Sequence, residues 1–212
     1  MKLDKQTMLL YAVTDRTWLG ERTLIEQVEE TLKGGATFIQ LREKDMAFDD
    51  FVEEAKAIKK LTDAYQVPFV INDNVEVALA VEADGVHVGQ DDMDAGELRK
   101  RIGNKIIGVS ADTVELAQKA EADGADYIGV GAIYSTATKT DADVVAFETI
   151  AEICKSVAIP VVAIGGLNET NILALKGTGV DGVALVSAIF AKEDIVKATR
   201  ELRQISEEMT KP

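Results

Sequence analysis

At 212 residues, 47% apolar and 28% charged, the chain has the size and composition of one soluble globular domain with a sizeable core. Its 37 Asp and Glu outnumber 23 Lys and Arg, and the formal net charge of -14 argues against nucleic acid or an anionic membrane as partner. No apolar run approaches a membrane span, the N-terminal run is too short for a signal peptide, and the single cysteine, Cys154, permits no intrachain disulfide. A cytoplasmic location is expected, with Cys154 serving core packing in AEICKSVA.

The first β-branched run, MLLYAVTD at 8–15, is followed by LIEQVEETL, where Leu24, Val28 and Leu32 share one helical face. Next come TFIQLRE at 37–43, PFVIND at 68–73, GVHVG at 85–89 and KIIGVSA at 105–111. YIGVGAIY at 127–134, PVVAIGGL at 160–167 and GVALVSAI at 182–189 complete eight strand-like runs. Helical periodicity separates them at roughly 47–66, 74–83, 94–103, 113–124, 146–158 and 168–179, and closes the chain at 191–210. Several of these helices end in glycine, as in KGG and ADG, the usual left-handed stop.

Eight strand–helix alternations without a linker predict an α/β fold, a single-domain (β/α)8 TIM barrel over residues 1–212. A doubly wound open sheet is the alternative, but it rarely needs eight even repeats. In a barrel, function gathers at the C-terminal ends of the strands. The stretch FIQLREKD, residues 38–45, then reads clearly. Ile39 and Leu41 suit the helix-facing layer, while Gln40, Arg42 and Lys44 point inward and climb to the rim. The bland alternative is a buried ion pair between strands.

Other strand ends add to the same rim. NDN carries Asn72 and Asp73, GQDD carries Asp91 and Asp92, and the fifth strand ends on Ser110. YSTATKTD brings Thr136, Thr138 and Lys139, IGG brings Gly165 and Gly166, and the last strand ends in Val186 and Ser187. Asp73 and Asp92, facing cations, suit Mg²⁺ bridging a polyanion, because Mg²⁺ takes one or two carboxylates plus phosphate oxygens and water. One aspartate of GQDD is expected to cap a helix instead. Gly165 and Gly166, ahead of the last strand end, suit a phosphate site built from backbone N–H groups. His87, the only histidine, is expected to be structural, because it lies below the rim. Trp18 and Tyr134 fit packing or rim equally well. The polar run 135–145 is long for a strand–helix connection and reads as a lid or binding loop.

With QLREKD, VINDN, DGVHVGQDD, GVSA, STATKTD and AIGG in place, the chain resembles the thiamine phosphate synthase family along essentially its whole length. The resemblance implies a cytoplasmic transferase of vitamin B1 biosynthesis. It condenses 4-amino-2-methyl-5-(diphosphooxymethyl)pyrimidine with a thiazole phosphate and releases pyrophosphate. By motif, Gln40, Leu41, Arg42, Glu43, Lys44, Asn72, Ser110 and Lys139 would hold the pyrimidine diphosphate, with Arg42, Lys44, Ser110 and Lys139 catalytic. Asp73 and Asp92 would bind Mg²⁺, and Thr136, Ala137, Thr138, Gly166, Val186 and Ser187 the thiazole phosphate. Small-molecule partners are implied, without nucleic acid or membrane, and a homo-oligomer is compatible with them. The chain departs from the family pattern at Asn74, Ala132, Ser135 and Ala146, none of them an assigned ligand. The rival readings are a thiazole tautomerase-like isomerase on the same barrel and a non-catalytic phosphate-binding barrel.

Overall fold

Each of the eight apolar runs holds one strand, and the eight pair in chain order into a closed barrel. They are β1 Leu10–Val13, β2 Phe38–Leu41, β3 Phe69–Asn72, β4 Gly85–Val88, β5 Ile106–Ser110, β6 Tyr127–Val130, β7 Val161–Ile164 and β8 Gly182–Leu185. All neighbours run parallel, and β8 closes on β1 with Leu10 opposite Val183 and Ala12 opposite Leu185. The computed structural model describes residues 3–90, 92–135 and 144–211.

The helices are α1 Leu24–Gly34, α2 Phe48–Tyr65, α3 Val75–Ala80, α4 Ala95–Ile102, α5 Val114–Ala122, α6 Phe147–Ser156, α7 Ser187–Phe190 and α8 Ile195–Met209. In α1 the Thr23 hydroxyl accepts from the Glu26 N–H at 3.2 Å while the Glu26 carboxylate accepts from the Thr23 N–H at 2.7 Å. Such a reciprocal cap contributes about 1 kcal/mol. The helix stops at Gly35, whose φ of 100° only glycine adopts without strain. Leu24, Val28 and Leu32 are buried against the barrel, on the face their spacing assigns. Among the described residues no helix is long and apolar enough to cross a membrane.

Two segments differ from the reading of the sequence. Residues 168–179 form a 3-10 turn at Ile172–Leu175 instead of a helix. Asn171 accepts from the Asn168 N–H at 2.8 Å and Asn168 from the Thr170 N–H at 2.9 Å, local bonds that compete with a helical ladder. Gly177 and Gly179 then take left-handed φ values of 87° and 96°. The run 182–189 is also not one strand: β8 ends at Leu185, Val186 makes the turn, and Ser187 opens α7. Its continuous apolar character suits a buried strand and a buried helix equally.

The core has two layers. Tyr11, Phe38, Val70, Ile106, Tyr127 and Val162 fill the barrel interior. Ile39 and Leu41 belong to the larger layer between strands and helices, so β2 alternates as its pattern predicts. At the N-terminal end of the barrel, the residue before each even strand holds the preceding strand. Thr37, Asp84, Asp126 and Asp181 accept from the N–H groups of Leu10, Phe69, Ile107 and Val161 at 2.8–3.0 Å. Lys59, Arg99 and Lys5 pair with the three aspartates. That end serves stability, and the opposite end is open.

Candidate active site

A cavity of about 340 Å³ opens at the C-terminal ends of the strands. Gln40, Arg42 and Lys44 line it from the end of β2, the face that the alternation of FIQLREKD assigns to the interior. Leu41 and Glu43 do not: Leu41 is fully buried under the helices, and its side chain is turned away from the cavity. Glu43 is held by the Arg16 guanidinium at 2.8 Å, which also meets Glu54 at 2.5 Å. Thr14 fixes the start of the loop by accepting from the Arg42 N–H at 3.0 Å. Among the described residues neither Arg42 nor Lys44 makes a salt bridge, so the interstrand ion pair does not account for them. In an acidic protein, two such cations in one mouth mark a place for an anion.

Asn72, Asp73 and Asp92 line the neighbouring wall. Asp73 has φ 59°, a left-handed conformation that Asp and Asn tolerate best after glycine, and its N–H donates to the His87 carbonyl at 2.8 Å. Asp92 accepts from the Gly89 N–H at 2.7 Å, and the Asn72 amide donates to the Asp73 carboxylate. Loss of water, then the charge and contact of Asp92, push the Asp73 carboxyl up to about 6, against a smaller opposing pull from Asn72 and Arg42. Two mutually repelling carboxylates are a fitting oxygen donor set for a hard cation. Among the described residues no third acid or histidine joins them, which leaves the remaining coordination positions to ligand oxygens and water.

The floor is polar in a way the sequence did not suggest. The Gln40 amide donates to Tyr11 Oη, which lies 2.8 Å from Tyr127 Oη. Tyr127 Oη is 2.9 Å from His87 Nδ1, and His87 Nε2 is 3.0 Å from Ser110 Oγ. Burial pushes the His87 imidazole down to about 4, so it is neutral near pH 7. The structural role expected of His87 takes a polar form: it lines the cavity floor and supports Ser110. Its partners come from β5 and β6, and no local sequence signal announces them.

On the far side, Gly165 and Gly166 have φ of 100° and 68°. A Cβ on Gly165 would stand 2.7 Å from Ala132 Cα, and one on Gly166 2.7 Å from Tyr134 Cβ, so the loops after β6 and β7 touch. The Asn171 amide holds the Gly166 carbonyl at 2.9 Å. Gly166, Val186 and Ser187 all line the cavity. Asp91, Thr136, Ala137, Thr138 and Lys139 lie outside the described residues, as does most of the run 135–145. Trp18 and Tyr134 pack against the outer core, Tyr134 edge-on to Phe147 at 6.2 Å. Cys154 packs there too, its thiol pushed up to about 12 by burial.

Cations, paired carboxylates and backbone-exposing glycines at the C-terminal mouth of a (β/α)8 barrel define an enzyme acting on small anionic molecules. The family model for thiamine monophosphate synthase matches residues 10–189. A thiamine-phosphate synthase from Clostridium tetani is 53% identical over 194 residues, covering 91% of this chain and 93% of the relative. One from Enterococcus faecalis is 45% identical over 206 residues, covering 97% of each. The solved thiamine phosphate pyrophosphorylase from Pyrococcus furiosus superposes with a TM-score of 0.90 at 43% identity, over 97% of this chain and 98% of that one. The chain belongs to the thiamine monophosphate synthase family.

Proposed function

We propose that this barrel joins the pyrimidine methyl diphosphate to the thiazole phosphate, forming thiamine phosphate and releasing pyrophosphate. The observation that carries the reading is one wall: Arg42 and Lys44, without ion pairs among the described residues, beside the facing carboxylates of Asp73 and Asp92. The bond from the ring's methylene carbon to the diphosphate oxygen breaks, and its electron pair leaves with pyrophosphate. The thiazole nitrogen forms the new carbon–nitrogen bond with its own lone pair, so no general base is required. Arg42 and Lys44 stabilise the charge that develops on the leaving diphosphate, and Ser110 offers it a hydrogen bond. Bound at Asp73 and Asp92, Mg²⁺ would neutralise diphosphate oxygens and help them leave. Gly166, Val186 and Ser187 take the thiazole phosphate on the opposite wall, through backbone N–H groups of a tight turn and a helix start. Holding two substrates in one cavity supplies the remaining acceleration.

Calorimetric titration with pyrophosphate and with thiazole phosphate, each with and without Mg²⁺, tests this assignment. Mg²⁺ is expected to tighten pyrophosphate binding and to leave the monophosphate nearly unaffected. Binding of the monophosphate alone would turn the barrel into a phosphate-binding protein without the transferase site.

A further inference from the structure

We propose that Tyr127 is a positioning residue for the transfer. With Tyr11 and Gln40 it sets the direction of a buried hydrogen-bond chain, so that His87 keeps its proton on Nε2 and Ser110 donates its own into the cavity. Only the use of that donor by a leaving diphosphate rests on the proposed function; the direction of the chain does not.

The orientation of the Gln40 amide sets the direction in which the protons of the chain run. Gln40 presents its amide nitrogen to Tyr11 Oη, and an amide nitrogen can only donate. Tyr11 therefore spends its single hydroxyl proton on Tyr127, 2.8 Å away. Tyr127, already accepting, gives its proton to His87 Nδ1 at 2.9 Å. A neutral imidazole that accepts at Nδ1 carries its proton on Nε2, which donates to Ser110 Oγ at 3.0 Å. The Ser110 hydroxyl is then free to point its hydrogen at whatever occupies the cavity it lines with Arg42 and Lys44. Turning Gln40 round would reverse every bond, draw the Ser110 hydrogen down to His87 and present the ligand with a lone pair. Either direction satisfies the buried network, and only this one offers a donor to an anion.

The backbone is shaped for these contacts. A Cβ on Gly108 would lie 2.1 Å from Tyr127 Cζ and 2.5 Å from His87 Nδ1, and one on Gly129 would lie 3.2 Å from His87 Cε1. Two strands thus carry glycine where the tyrosine and histidine meet. Edge-on contacts with Tyr11 at 5.8 Å and Phe38 at 5.5 Å fix the Tyr127 ring. Tyr127 does not itself line the cavity, so it reaches the reaction through His87 and Ser110.

His87 is the only histidine, so ¹⁵N-histidine NMR of the substrate-free protein reads one ring. The expected spectrum has Nε2 protonated and Nδ1 bare. Tyr127→Phe should give a mixture of tautomers and lower kcat about tenfold, the loss of one aligned hydrogen bond, with KM for thiazole phosphate unchanged. Gln40→Glu, ionised at alkaline pH, should reverse the chain and move the proton to Nδ1. A wild-type ring protonated on Nδ1 or on both nitrogens would overturn the proposal. So would a folded Tyr127→Phe with unchanged spectrum and kcat, or a folded Gln40→Glu that keeps its proton on Nε2. The spectra need no substrate, so a barrel that makes no thiamine phosphate would fail the functional reading and leave this test intact.

Discussion

The carboxyl of Asp73 meets that of Asp92 at the mouth of the barrel and titrates at about 6, raised by lost water and then by its neighbour's charge. A carboxyl whose folded pKa lies above its unfolded value, 3.8 for Asp, weakens the fold as pH rises between the two, and the loss is complete above the folded pKa. Asp73→Asn removes that loss, and asparagine accepts the left-handed backbone at this position. Melting in EDTA at about pH 8 should therefore show this variant as stable as wild type or more so, with the gain gone below about pH 4. Its turnover with Mg²⁺ supplied should be lost at about pH 8, where the wild type is active. A variant that unfolds would make Asp73 a structural residue.

Metal exchange addresses the same pair chemically. EDTA should abolish turnover and Mg²⁺ restore it, while Ca²⁺, larger and content with irregular geometry, should restore it poorly. Turnover that persists in EDTA would remove the metal from the account.

Arg42 lines the cavity and has no salt-bridge partner among the described residues, so removing it breaks no ion pair and withdraws only a minor stabilising charge from Asp73. Arg42→Ala should lower kcat roughly a hundredfold, as expected when charge stabilisation at a developing anion is lost. Affinity for thiazole phosphate and the melting temperature should change little. Equal losses for both substrates, or unfolding, would make Arg42 a residue that organises the fold.

Arg16 works one step behind that wall. It clamps Glu43, between Arg42 and Lys44, to Glu54 on α2, and the Glu43 side chain is only 7% exposed. Arg16→Ala leaves a nearly buried carboxylate without its partner, at a cost of about 1–3 kcal/mol. The loop carrying both cations should loosen, raising KM for the pyrimidine diphosphate more than for the thiazole phosphate. Thermal melts beside steady-state kinetics check both effects; a wild-type Tm and KM would show that the clamp is idle.

The barrel was legible because eight apolar runs alternate with helical periods, and β2 placed Gln40 and Arg42 inside while burying Ile39 and Leu41 outside. Period says little where side chains bond their own backbone. Ile172 and Leu175 have helical spacing, yet Asn168 and Asn171 close local turns around them and Gly177 ends the segment. The rim cations and carboxylates were legible because charge at a strand end is unusual. Glu43 came only with the motif, and its neighbours in sequence do not reveal that Arg16 holds its side chain away from the cavity. The chain from Tyr11 to Ser110 was not legible at all. Its bonds join residues 23 to 116 positions apart, and only barrel closure brings them together.

The most direct measurement is a single incubation of the protein with the pyrimidine diphosphate, the thiazole phosphate and Mg²⁺, with both products quantified. The account predicts thiamine phosphate and pyrophosphate in equal amounts, formed only when both substrates and the metal are present. Pyrophosphate without thiamine phosphate, or a rearranged thiazole with no product of joining, would contradict it.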